Sequence, residues 1–165
     1  MVTRVFSQQP DLVASLPKVL AHARRFFAAE VEVLSASPVV RADVGLAEVR
    51  LRLSSARYPG SGTFRLEARY RTDDDQFAAE AAEARGNATN MSLLAAQCPA
   101  VWSITPEADV SGSAELQLSA LLASVALGPV LPPDESTLYG VRGAMERAER
   151  AAVEKPPILK EPTSG

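Results

Sequence analysis

Two stretches near the middle of the chain, Leu46–Ser54 and Thr63–Arg71, alternate apolar and polar residues almost without error. Side chains of a β-strand point to opposite faces in turn, so each stretch is predicted to have one apolar and one charged face. The linker Ser55–Gly62 is rich in proline and glycine, which favours a hairpin with a longer loop. We therefore expect a β-hairpin whose apolar face lies on the core. The residues predicted to face inward are Ala47, Val49, Leu51, Leu53, Phe64, Leu66, Ala68 and Tyr70.

The segment before the hairpin predicts a helix over Asp11–Ala29, because its apolar residues fall on one helical stripe. A proline in its second turn makes Ser15 a candidate N-cap, with the main helix beginning after it. Two short apolar segments, Val2–Phe6 and Glu30–Leu34, are alternative candidates for a further strand. Ser37–Gly45 contains proline and glycine and is predicted to be a connector.

After the hairpin, a run of three aspartates predicts the start of a second helix. Asp73 or Asp74 is the predicted N-cap, and Gln76 lies three residues after Asp73, as in a capping box. The sequence allows this helix to end near Gly86 or to continue to Ala96. A proline follows Ala96 closely, so the helix ends there in either case.

The second half of the chain predicts a buried strand over Ala100–Thr105, followed by a loop over Pro106–Gly112. Ser113–Leu127 has helical spacing of its leucines, although its first six residues also fit a strand. A Gly-Pro pair follows this segment and is typical of a helix end, which favours the helix. Gly143–Glu154 is predicted to be a terminal helix, with a start as early as Ser136 as the alternative.

These elements predict one α+β domain over residues 1–154 and a disordered, proline-rich tail over residues 155–165. We expect an antiparallel sheet of three to five strands with the helices packed on one face. With Val2–Phe6 as the first strand, the order β-α-β-β-α-β is ferredoxin-like. With Glu30–Leu34 instead, the order α-β-β-β-α-β is similar to that of small secretion chaperones. Element order by itself indicates no function.

The overall charge constrains the partners and the compartment. The formal net charge is −3 and the isoelectric point is near 5.3, which disfavours nucleic acid as a partner. Cys98 is the only cysteine, which fits a reducing, cytoplasmic location. The sequence contains neither a long apolar run nor a signal-peptide core, so we expect no membrane insertion. Arginine greatly outnumbers lysine, which we interpret as the codon bias of a GC-rich bacterial genome.

The first candidate binding site is the charged face of the hairpin. Residues 41–71 contain seven arginines against three carboxylates, although the whole chain is acidic. Such a lattice of guanidinium groups suits a carboxylate, a phosphate or an acidic protein segment. The alternative is that the arginines form cross-strand ion pairs with Glu48 and Glu67. The candidate residues are Arg50, Arg52, Arg65, Arg69 and Arg71.

No catalytic constellation is evident in the sequence. His22 is the only histidine and has no cysteine or carboxylate at ligand spacing, so we predict no metal site and no cofactor. Cys98 precedes a proline and is interpreted as a small buried apolar residue rather than a nucleophile. The pattern of a nucleophile elbow does not occur.

The leading hypothesis is therefore a non-enzymatic protein-interaction or adaptor module that forms a homodimer. The apolar segment Leu116–Leu127 is predicted to serve in the core and in an interface. The alternative is a small-molecule or anion-binding protein that uses the arginine-bearing sheet face.

Overall fold

A computed structural model describes residues 2–56, 59–86 and 89–154. The predicted tail over residues 155–165 lies outside these ranges. The strands are β1 (Thr3–Ser7), β2 (Ala29–Arg41), β3 (Leu46–Ser55), β4 (Gly60–Tyr70), β5 (Ala100–Gly112) and β6 (Val130–Leu131). The helices are α1 (Leu12–Phe27), α2 (Asp73–Gly86), α3 (Met91–Ala96), α4 (Ala114–Ala126) and α5 (Val141–Glu154).

The strands form one antiparallel sheet in the order β2-β3-β4-β5-β1-β6. The α+β class is as predicted, but the sheet has six strands rather than three to five. Both candidate strand segments belong to it, since β1 lies between β5 and β6 while β2 forms the opposite edge. The observed order combines features of the two predicted orders, since β1 precedes α1 as in the first and three strands in succession follow α1 as in the second.

The predicted hairpin is confirmed as β3 and β4. Leu51 lies opposite Phe64 and Val49 opposite Leu66, and all four side chains are completely buried. We call the face that carries them the core face of the sheet, and the other the polar face. Tyr70 is the exception to the predicted pattern, because its ring is mostly exposed at the end of β4.

The prediction that all helices pack on one face is wrong. Val5 and Phe6 are neighbours on β1 and therefore point to opposite faces. Val5 belongs to the main core, which α1, α4 and α5 cover. Phe6 packs in a second apolar cluster with Ala79 of α2 and Ala95 of α3. Helices α1, α4 and α5 thus pack on the core face, and α2 and α3 pack on part of the polar face.

Two segments that were predicted to be loops continue as strands. β2 runs through Pro38 to Arg41, and β5 runs through Pro106 to Gly112. Proline is excluded from the interior of a sheet because it lacks an N–H donor, but an edge tolerates it. β2 is an edge strand throughout. β5 becomes one beyond Ile104, because its pairing with β1 ends there.

The N-caps of the first two long helices differ from the prediction. Asp11, not Ser15, caps α1, and its carboxylate accepts the N–H of Ala14 at 3.0 Å. In α2, Thr72 Oγ1 accepts the N–H of Asp75 at 3.2 Å, while Asp75 Oδ2 accepts the N–H of Thr72 at 2.9 Å. This reciprocal pair is a capping box one residue earlier than predicted.

The later helices settle the remaining alternatives. α2 ends at Gly86 and α3 is a separate short helix, while the segment after β5 is a helix, α4. The last helix, α5, begins at Val141. α4 is buried on almost every side, so most of its apolar residues form core, while Leu116 is half-buried and Leu127, just after the helix, is 51% exposed. Among the described residues, none of the helices combines the length and apolar character that crossing a membrane requires.

Candidate functional site

The five candidate arginines all lie on the polar face, but the structure separates them into two groups. Arg50, Arg52 and Arg65 lie on the open part of β3 and β4, where none of the described helices covers the sheet. Arg69 and Arg71 lie at the end of β4, beside α2 and α3. The five side chains therefore do not form a single anion site.

The open group forms pairs across the strands. Arg50 Nε donates to Glu107 Oε1 at 2.7 Å. Arg65 Nε lies 3.8 Å from Glu48 Oε2 and 3.9 Å from Glu67 Oε2. The contacts with Glu107 and Glu48 match the alternative of cross-strand ion pairs, whereas Glu67 is on the same strand as Arg65. Together these contacts leave less positive charge for a ligand. Arg52 lies opposite Thr63 and donates to its hydroxyl at 3.4 Å, and no carboxylate partner of Arg52 occurs among the described residues.

Arg69 forms the strongest interaction on the polar face, a bidentate pair with Asp75. The two guanidinium nitrogens lie 2.6 and 2.8 Å from the carboxylate oxygens. Arg4 of β1 adds a third contact at 3.1 Å. The carboxylate is almost fully buried, at 2% exposure of the side chain. This cluster therefore fixes the start of α2 on the sheet.

The electrostatics of Asp75 follow from these contacts. Burial acts to raise its pKa, but hydrogen bonds from Arg69 and Thr72 outweigh that effect and hold the pKa well below its usual range. The pKa of Arg69 is raised, mainly by its hydrogen bond to Asp75. Both groups are charged at neutral pH, and Arg69 has a structural partner rather than a free guanidinium group.

Arg71 binds backbone carbonyl groups at the C-terminal end of α3. Its Nε donates to the carbonyl of Cys98 at 2.8 Å and its second nitrogen to that of Ala96 at 3.2 Å. Carbonyls at the end of a helix lack partners within the helix, so a guanidinium group that binds them acts as a cap. The roles of Arg69 and Arg71 are therefore both explained by the attachment of α2 and α3.

Cys98 and His22 do not form a catalytic pair. Cys98 packs with Phe6 and Val101 on the polar side of the sheet, whereas His22 lies on α1, on the core face. Burial raises the pKa of the Cys98 thiol to about 11, so the thiolate is scarce at neutral pH. In the part of the chain that the structure describes, no group of His, Cys, Asp and Glu side chains is arranged to hold a metal ion.

A different surface, the outer edge of β2, was missed by the sequence-based prediction. β2 has 13 residues and pairs only with β3 within the described sheet. Leu34, Val39 and Val40 are 43%, 62% and 48% exposed along it. No charged residue occurs between Val33 and Val40. The sequence signal was present, but Pro38 led to the prediction of a connector here.

An apolar hollow lies at the end of this edge, on the core face of the sheet. Its volume is about 290 Å³. The ring of Tyr70 lies directly against Gly45, whose positive φ of 68° is easily adopted only without a side chain. The side of the hollow nearest β2 is formed by Pro38 and Val39. The hollow therefore continues the exposed apolar surface of β2 around the end of the sheet.

Comparison of the chain with protein-family models, with curated proteins and with solved structures found no match. The function is therefore inferred from the geometry of the surfaces above. Of these, the arginine-bearing face is largely satisfied within the molecule, while the β2 edge is exposed, long and uncharged in its middle.

Proposed function

We propose that the protein is a non-enzymatic interaction module that forms a homodimer by pairing the outer edges of two β2 strands. The observation that carries this proposal is the exposed 13-residue edge with its uncharged stretch from Val33 to Val40. An exposed strand edge presents unpaired backbone N–H and C=O groups that pair readily with another strand. Exposed Leu34, Val39 and Val40 add apolar area to such a pairing.

The charges of β2 favour a second copy in antiparallel orientation. Glu30 and Glu32 lie near the beginning of the strand, and Arg41 lies at its end. Glu30 and Arg41 also form ion pairs within the chain, with Arg24 and Asp43, but these pairs lie on the surface and are therefore weak. Antiparallel pairing of two copies brings the acidic end of each strand towards the basic end of the other. Parallel pairing instead brings like charges together, which is destabilising. A two-fold symmetric dimer satisfies the antiparallel arrangement.

The anion-binding alternative has less support. A ligand at the open sheet face has to compete with Glu107 for Arg50 and with Glu48 for Arg65. At the covered part it has to displace Asp75 from Arg69, where the existing pair is bidentate and buried. The contacts within the molecule therefore oppose a strong anion site.

Sedimentation equilibrium of three proteins tests the dimer. The full chain is expected to be dimeric at high micromolar concentration. Leu34→Lys places a charge on the proposed interface and is expected to give monomers. Leu93→Lys on α3 is the matched control, since Leu93 is 64% exposed and lies away from β2, so it should remain dimeric. A monomeric wild type, or a Leu34→Lys protein that stays dimeric, contradicts the proposal.

A charge reversal tests the orientation. The double change Glu30→Arg and Glu32→Arg is expected to weaken the dimer, because it places arginines opposite Arg41 of the other copy. Addition of Arg41→Glu is expected to restore the dimer. Glu80→Arg combined with Glu146→Arg, at two exposed helical positions, is the control for net charge because it makes the same change of +4. A triple variant that is as weak as the double variant would rule out the antiparallel arrangement.

A further inference from the structure

A small apolar cavity lies where α1, α4 and α5 meet, and nothing in the proposed dimer uses it. Its volume is about 260 Å³. Its walls are almost entirely apolar, and His22 and Ser124 provide the polar groups. The lining residues are His22, Phe26, Phe27, Ser124, Val141 and Met145.

The hydrogen bonds of Ser124 determine which ring nitrogen of His22 carries the proton. Ser124 Oγ donates its single proton to the carbonyl of Leu121 at 2.6 Å. The contact of 2.9 Å between Ser124 Oγ and His22 Nδ1 therefore favours Nδ1 as the donor. In the neutral ring, Nε2 is then an acceptor. No hydrogen bond to His22 Nε2 occurs among the described residues.

The surroundings keep this histidine neutral near pH 7. Partial burial lowers its pKa, and the nearby cations Lys18 and Arg25 lower it further. The ring also makes an edge-to-face contact with Phe26, with ring centres 5.2 Å apart. The cavity therefore combines apolar walls with one available hydrogen-bond acceptor.

The size of the cavity limits what can occupy it. An apolar cavity of about 150 Å³ holds benzene, and drug-sized ligands need roughly 300 Å³ or more. We propose that this cavity binds a small uncharged molecule with one ring and one hydrogen-bond donor, such as a phenol. The ring packs between Phe26 and Met145, and the hydroxyl group donates to His22 Nε2. This site is independent of the β2 edge and of the dimer.

The first test is the protonation state of the His22 ring. Its nitrogen signals overlap with those of no other residue of this type, because the chain has one histidine. Nitrogen-15 NMR of the full chain near neutral pH is expected to show a protonated Nδ1 and an unprotonated Nε2. A ring protonated at Nε2 instead would leave no acceptor for the ligand and would overturn the proposal.

Binding is tested with para-ethylphenol and ethylbenzene, which differ by one hydroxyl group. Methyl-¹³C methionine reports the site, since Met145 lines the cavity while Met91 packs on the other side of the sheet. Para-ethylphenol is expected to shift the Met145 signal and leave that of Met91 unchanged. Its affinity is expected to exceed that of ethylbenzene by about two- to tenfold, the gain from one hydrogen bond.

Two variants distinguish the contribution of the hydrogen-bond acceptor from that of the cavity volume. His22→Phe is expected to bind both probes with equal affinity, because it removes the acceptor and keeps an apolar wall. Val141→Trp is expected to fill the cavity and to abolish binding of both. Equal binding of the two probes by the wild type, no Met145 shift at millimolar probe, or tighter binding of charged para-ethylbenzoate would each overturn the proposal.

Discussion

The two edges of the sheet are built in opposite ways. At one edge, β6 has only two residues, both buried, and two prolines follow it. Val130 is also bridged to Tyr139, so a further chain segment covers this edge. At the other edge, β2 has 13 residues, three of them large, apolar and exposed. Short strands, prolines and covering segments are the usual means of preventing edge pairing.

Charged groups reinforce the closed edge as well. Arg4 lies opposite Leu131 of β6 and binds both Asp75 and Glu135. Glu135 belongs to the segment that connects β6 to Tyr139, so the ion cluster ties this covering segment to β1 and α2. Along the middle of β2, from Val33 to Val40, the sequence offers no charge at all. β2 also carries Pro38 and two register shifts, which limit pairing at those points, but it is long, exposed and uncharged in its middle, whereas β6 is short and covered.

The largest effect is expected from truncating one leucine at each edge. Leu131→Ala leaves a cavity among buried groups and should lower the free energy of unfolding by about 2–5 kcal/mol. Leu34→Ala should change it by less than about 0.5 kcal/mol at concentrations where the protein is monomeric. Urea unfolding followed by the fluorescence of the single, fully buried Trp102 measures both. Equal losses of unfolding free energy in the two variants would contradict the difference between the two edges.

The ion cluster at the closed edge should give the next largest effect. Asp75→Asn leaves Arg69 without its carboxylate partner and Arg4 with Glu135 alone, and should cost about 2–3 kcal/mol of unfolding free energy. Asp74→Asn is the matched control, since Asp74 is an exposed neighbour in the same helical turn and should cost little. If both variants unfold at the same urea concentration, the cluster does not stabilise the closed edge.

The pH dependence of stability should come partly from the same carboxylate. The pKa of Asp75 is lower in the folded protein than in the unfolded chain, where it is about 3.9. Its contribution is therefore present above about pH 4 and is lost as the pH falls further. Unfolding measured from neutral to acidic pH should show a steeper loss for wild type than for Asp75→Asn. Parallel curves for the two proteins would contradict the assignment.

The smallest effect is expected on the open polar face between the two edges. Arg50→Gln breaks an exposed pair with Glu107 and should change the unfolding free energy by less than about 1 kcal/mol. It should also leave the mass of the dimer unchanged in sedimentation equilibrium. A loss of self-association in Arg50→Gln would place the interface on the arginine-bearing face and away from β2.

The sequence predicted the central hairpin because alternation is a local signal that burial of one face makes reliable. It failed at Pro38 and Pro106 for one physical reason, since both prolines lie where a strand has a neighbour on one side only. Whether a strand segment is at an edge depends on the order of all strands. That order is not encoded in the residues around the proline.

The candidate site was predictable only in part. Thr72 and Asp75 have the spacing of a capping box, so the sequence contains the signal for the cap of α2. The predicted pair, Asp73 and Gln76, lies one residue later. The cluster around Asp75 also includes Arg4 from β1, which is 71 residues away from Asp75 along the chain. Contacts of this kind follow from the sheet order, so composition alone suggested a free arginine cluster.

Amide hydrogen exchange along β2, measured at high and at low micromolar protein, tests the open edge most directly. If two copies pair through this edge, the amides between Val33 and Val40 that point away from β3 should exchange more slowly at the higher concentration. The amides of β6 should exchange at the same rate in both samples. Exchange rates in β2 that do not depend on protein concentration would contradict the account.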